Sequence, residues 1–141
     1  MGYRLIEGVT WADYAFEAEG KTLNELFENA ALALCAAMAE LKSIKPAKKL
    51  QVSLENADVE RLLFSFLEEI LFLRDSEYML FSKVRVKVAE GTTFKLEAVL
   101  EGDTINPDKQ TLHADVKAIT WHQWKFEKNE KGYRCQVVVD V

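Results

Sequence analysis

Apolar residues along this chain recur at two periods, and the switch between them divides the sequence into elements. Leu23, Leu26, Phe27, Ala30, Leu34, Met38 and Leu41 fall at helical spacing behind Thr22-Leu23-Asn24-Glu25. That tetrad is a capping box: the Thr22 hydroxyl can accept from the Glu25 amide while Glu25 reaches back. The pattern predicts a helix over 22–41, with Lys42 and Lys45 suiting its carboxyl end and Pro46 barring continuation. Val59, Leu62, Leu63, Phe66, Ile70 and Leu73 predict a second helix over about 58–75, with Asn56 or Asp58 as its cap. Phe64, Leu67, Leu71 and Phe72 widen its apolar arc, so it is expected to be covered on more than one side.

Elsewhere the period is two. Residues 3–7 alternate weakly, 8–13 form a break, and 14–19 alternate until Gly20. A strand is expected over 50–54. Val84, Val86 and Val88 alternate with Arg85 and Lys87, Glu90-Gly91 turns the chain, and Phe94, Leu96, Ala98 and Leu100 return. Residues 102–107 read as a loop, 116–126 as one or two strands, 128–132 as a turn and 133–139 as a last strand. The expected fold is α+β, with two main helices packed against a mostly antiparallel sheet. Two prolines, six glycines and the lack of any Ser-rich tract leave no linker, so 1–141 is read as a single domain.

Charge narrows the classes of function. Eighteen basic against 23 acidic side chains give a net charge of −5. Domains that coat nucleic-acid phosphates carry a basic face, so direct sequence-specific nucleic-acid binding is not expected. Cys35 lies in an apolar run and Cys135 alternates with Tyr133 and Val137, so both read as unpaired core residues. The start Met1-Gly2-Tyr3-Arg4 has no apolar leader and no stretch of 18 apolar residues occurs, so a cytoplasmic protein away from the membrane is expected.

Candidate chemistry is sparse. No glycine-rich phosphate loop, nucleophile elbow or metalloprotease motif occurs. His113 sits in a loop-like stretch with Asp115 close by, and His122 lies between Trp121 and Gln123 in a strand. Each reads as a surface or hydrogen-bonded structural residue before a base, which also needs an orienting partner in reach. Trp121, Trp124 and Phe126 invite a nucleobase-stacking reading, but strand alternation would send Trp121 and Trp124 to opposite faces, which favours packing. Asp13 stands where a break meets a strand. Asp140 follows three valines, and its carboxylate adjoins the α-carboxylate of Val141. If the first and last strands meet, Asp13 joins that pair. The resulting all-oxygen set suits Ca²⁺, Mg²⁺ or Mn²⁺ rather than Zn²⁺. The bland alternative is a turn aspartate and a solvated end residue.

Several of these residues fall into a familiar order. Thr10-Trp11-Ala12-Asp13, then Gly20, then Leu23-Asn24-Glu25-Leu26-Phe27-Glu28-Asn29-Ala30-Ala31 resembles the amino-terminal signature of the archease family. Val116-Lys117-Ala118-Ile119-Thr120-Trp121-His122 resembles the family's second signature, and Val137-Val138-Val139-Asp140-Val141 its carboxyl end. The resemblance spans nearly the whole chain and implies an archease-like fold. It also implies an accessory protein, not an enzyme, that activates the RtcB-type tRNA-splicing RNA ligase. In that role it promotes guanylylation and multiple turnover of the ligase and widens its choice of nucleotide. The family's metal site maps onto Asp13, Asp140 and Val141, and its ion is usually calcium. Trp11 departs from the pattern, because the family commonly has a histidine in that neighbourhood.

Two other readings compete. One is a chaperone-like modulator of a tRNA-modifying enzyme such as a methyltransferase, an idea also attached to the family. The other is a metal-dependent hydrolase working through Asp13 and Asp140 with His122 as base.

Overall fold

A computed structural model describes the backbone of residues 2–10 and 13–141 and, among these, the side chains of all but 7–10 and 13. The order is β1 (Tyr3–Thr10), β2 (Asp13–Gly20), α1 (Leu23–Met38), a short 3-10 turn (Leu41–Ser43), β3 (Lys48–Asn56), α2 (Val59–Ser76), β4 (Met79–Glu90), β5 (Phe94–Thr104), β6 (Ala118–Asn129) and β7 (Gly132–Asp140). The α+β class stands, and the strands divide into two antiparallel sheets, ordered β1-β2-β7-β6 and β3-β5-β4. Each helix bridges them: α1 packs on β2 and β4, and α2 on β3 and β6.

The amino end of α1 forms as its sequence requires, with the Thr22 hydroxyl accepting from the Glu25 amide at 3.2 Å. Its carboxyl end comes three residues early. The amides of His113 and Ala114 donate to the carbonyls of Met38 and Ala37, and Ala39 turns extended to pair with Leu112. A strap on the far side of the sequence thus satisfies the carbonyls that another helical turn would have used. Lys42 and Lys45 therefore lie beyond the helix. Ten of the helix's residues are buried, four of them alanines, which lets both sheets approach closely.

The amino end of α2 is capped by Asp58, whose carboxylate accepts from the amides of Glu60 and Arg61. Phe64, Leu67 and Leu71 are buried as the wide apolar arc requires, while Phe72 is exposed. The edge strand β4 is shielded by α1, since Asn24 and Glu28 accept from the amides of Val88 and Val86. Helical spacing of four residues matches strand spacing of two, and the edge loses its capacity to pair with another chain. Residues 102–104, expected as loop, continue β5. Gly102 is needed there because a Cβ would run into the backbone carbonyl of Leu80, where Ser82 bulges from β4. Gly132, at φ 133, turns β6 into β7.

One core unites the layers, with Phe16, Phe27, Phe66, Phe81 and Leu100 among its fully buried members. Among the described residues no helix is long and apolar enough to cross a membrane.

Candidate functional site

The first and last elements of the four-stranded sheet meet. β2 pairs with β7 in unbroken register, from Gly20 opposite Tyr133 to Asp13 opposite Asp140. Directly paired positions in an antiparallel ladder stand about 4.5–5.5 Å apart at Cα. Sequence forces this pairing: Cys135, Val137 and Val139 alternate onto the core face of β7, and Phe16 and Ala18 do so on β2. Any slip by one residue would turn that apolar row outward. Asp140 falls on the other face and is exposed, while its carbonyl accepts from the amide of Lys117 at 2.8 Å. β6 flanks it on the second side, with Ala118 opposite Asp140. Val141 is half-buried and packs against the core.

Asp13 and Asp140 thus occupy neighbouring backbone positions at one rim of the sheet, with Val141 next in the chain. Asp13 and Asp140 stand opposite each other in the ladder, and Val141 lies just beyond its end. Trp11 and Ala12 lie outside the described residues. Among the described residues no group of three or more His, Cys, Asp or Glu side chains is arranged to hold a metal. The set at this rim has only two aspartates, and its third member, Val141, offers backbone oxygen.

Further along the same face, Glu17 is clamped by Arg4 at 2.8 Å and Arg134 at 2.7 Å. Partial burial works to raise its carboxyl pKa, but hydrogen bonds and charge from both guanidinium groups outweigh this and hold it below the usual range. This triad ties β1, β2 and β7 together at a distance from the acidic rim.

Beside the rim, β6 departs from the expected geometry. Thr120 pairs with Val138 and Lys125 with Gln136, so residues 121–124 face Val137 alone. Gln123 takes φ 51, a left-handed conformation unusual for a residue with a side chain. The bulge overturns the expectation that Trp121 and Trp124 point to opposite faces. Trp121 stacks on Phe64 of α2, with centroids 4.0 Å apart and planes 4° from parallel. Trp124 stands 4.8 Å from Trp121 and 5.7 Å from Phe64 and donates its indole N–H to Glu60 at 3.0 Å. Phe126 pairs instead with Tyr133. The sequence marks these aromatics but not the meeting of Trp121 with Trp124, because period-two counting fails across a bulge; the local signal was a Trp-His-Gln-Trp run with no alternation.

His122 is exposed, as is His113, whose amide serves the end of α1. Cys35 and Cys135 are buried and unpaired, and burial pushes each thiol up to about 12.

A small α+β domain of two antiparallel sheets joined by two helices, with two aspartates paired at the rim of one sheet, is a defined class of protein. A family model described as the Archease protein family (MTH1598/TM1083) matches residues 3–141. The chain is 40% identical over 141 residues to Protein archease of Archaeoglobus fulgidus, covering 100% of each chain. It is 39% identical over 132 residues to Protein archease of Thermococcus kodakarensis, covering 92% of this chain and 93% of that one. The solution structure of Methanobacterium thermoautotrophicum protein 1598 superposes with a TM-score of 0.86 at 30% identity over 99% of both chains. This chain therefore belongs to the archease family.

Proposed function

We propose that this chain is an accessory protein of the RtcB-type tRNA-splicing RNA ligase, promoting the ligase's guanylylation, its multiple turnover and its wider use of nucleotides. The observation that carries the reading is the ladder position of Asp13 opposite Asp140, at the rim where the family's metal site maps. The donor set of Asp13, Asp140 and Val141 is all oxygen, which fits Ca²⁺ and also Mg²⁺ or Mn²⁺. When bound, such a cation offsets the carboxylate charge and offers the rim to phosphate oxygens of a nucleotide held by the partner. The chain's own part is to hold Asp13 and Asp140 at paired backbone positions of adjacent strands, at the rim offered to the ligase. In this reading the role is non-catalytic: the ligase supplies the reacting groups and this chain the acidic rim.

The test is RNA ligation with substrate in excess over ligase, with and without this protein, alongside Asp140→Ala and a chain bearing two residues added after Val141. Wild type is expected to convert a single turnover into many. Asp140→Ala is expected to abolish the stimulation, and the extended chain to lose part of it, because extension turns a carboxylate into an amide while keeping its oxygen. Full stimulation by a folded Asp140→Ala protein refutes the assignment. Calorimetric titration with Ca²⁺ checks the site separately: wild type should bind and Asp140→Ala should not.

A further inference from the structure

The bulge gathers Trp121 and Trp124 over α2. It leaves a large aromatic surface in water: Trp121 is 48% exposed, although it stacks on Phe64, which is 9% exposed. Phe64 covers one face of the indole. The three centroid separations put Trp124 to the side of the Trp121–Phe64 stack, not over the second face of Trp121. An aromatic ring is thus held rigidly, backed by one ring, braced by another, and open on its outer face. The brace is itself fixed, because the Trp124 indole N–H is held by Glu60.

The charged groups around the open ring set what it can take. Asp58, Glu60 and Arg61 line a depression of about 370 Å³ with Trp121. Arg61 lies 4.0 Å from Asp58 and offsets that carboxylate, leaving Glu60 in excess. A nucleic acid stacked on this ring would bring its phosphates against the uncompensated Glu60 carboxylate on a chain of net charge −5. A guanidinium gains on both counts: it lies flat on the electron-rich indole face, and it is attracted by the carboxylates beside it.

We propose that Trp121, with Glu60 beside it, is a receptor for an arginine side chain on the surface of the partner protein. It is an anchor adjacent to the acidic rim and distinct from it. Three residues of strand at about 3.3 Å each separate Trp121 from Ala118, the ladder partner of Asp140. The anchor is thus close to the rim along β6, on the side of the sheet that faces α2. The partner's identity as the ligase rests on the function proposed above; the arginine chemistry does not. Rigid tryptophans that are buried on binding carry a large share of interface energy.

The experiment has two arms. In the first, binding of the RtcB-type ligase is measured by calorimetry for wild type, Trp121→Ala, Trp121→Phe and Glu60→Gln, with melting temperatures recorded for each. Glu60→Gln keeps a carbonyl acceptor for Trp124 and removes only the charge. Expected are at least a tenfold loss of affinity for Trp121→Ala and a smaller loss for Trp121→Phe. Glu60→Gln is expected to lose affinity with a weakened dependence on salt. In the second arm, the Trp121 indole N–H resonance, assigned by its loss in Trp121→Ala, is followed while acetyl-Gly-Arg-Gly-amide, its lysine counterpart or a single-stranded oligouridylate is added. The arginine peptide is expected to shift it at lower concentration than the other two.

If wild type fails to bind or stimulate the ligase, the proposed function falls and the second arm alone decides this one. A normal affinity of folded Trp121→Ala for a ligase that wild type binds overturns the anchor. Equal shifts from arginine and lysine, or a stronger response to the oligouridylate, overturn the arginine chemistry, the latter in favour of a base-stacking site.

Discussion

The two sheets are built from the same kinds of residue and put to different use. In β3-β5-β4 the β3–β5 ladder is unbroken from Lys48 opposite Gly102 to Asn56 opposite Phe94. Its one irregularity, at Ser82, is tucked against Gly102, and its β4 edge is closed by Asn24 and Glu28. In β1-β2-β7-β6 the central β2–β7 ladder is equally regular, but both outer pairings lose register, between Ile6 and Thr10 and between Thr120 and Lys125. Bulges re-aim side chains and cluster near functional sites. The regular sheet braces the helices, while the irregular one carries the acidic rim and the aromatic anchor.

The division predicts that stability and activity separate by sheet. The largest loss of stability belongs to the regular one. Gly102→Ala would drive a methyl group into the Leu80 carbonyl and should cost about 3 kcal/mol, at the upper end for overpacking. Urea denaturation should show a lower midpoint with an unchanged slope; a cost below about 0.5 kcal/mol, within the range of an ordinary surface change, would remove the contrast.

The core shared by both sheets is read by pH. Cys35 and Cys135 hold their protons up to about pH 12 in the folded state, against 9.0 for a free thiol. Above pH 9 the unfolded chain deprotonates first, so the folded state loses about 1.4 kcal/mol per pH unit for each thiol until about pH 12. A Cys35→Ala, Cys135→Ala double variant should show a shallower decline in stability over that window. Equal slopes would mean the thiols are not sealed.

A smaller cost attaches to the cap of α2. Asp58→Ala should destabilise by about 1 kcal/mol, with the fold intact, as read by thermal denaturation. Smallest of all is the stability cost of Asp140→Ala. Its side chain is exposed at a strand end, so the change should stay within about 0.5 kcal/mol despite the expected loss of ligase stimulation. A large drop in melting temperature would turn the rim into a structural feature and erase the separation between the sheets.

Local chemistry made most of the elements legible in the sequence. The cap at Thr22, the cap at Asp58 and the turn at Glu90-Gly91 depend on residues close in sequence and appear as expected. What depended on distant residues was not visible. The end of α1 is set by amides of residues 113 and 114, and the split into two sheets by which strands share which helix. The two tryptophans meet only because Gln123 adopts φ 51, a choice no side chain announces. The rim was legible in part. Alternation and the apolar ending suggested that Asp140 lay on a paired strand, whereas Asp13 joined it through the likeness to known archeases.

The β2–β7 ladder has a consequence for how the molecule comes into being. It joins residues 13–20 to 133–140, so almost the entire chain lies between the two halves of the rim. Closing so long a loop is entropically costly, and non-local strand pairing is slow. Chains fold from the amino end during synthesis, so β3, α2, β4 and β5 can assemble on local contacts while β2 waits for its neighbour. The acidic rim then arises only after β7 leaves the ribosome, and a truncated chain cannot present it. Possession of the site is thereby a sign, issued by topology, that synthesis has passed β7.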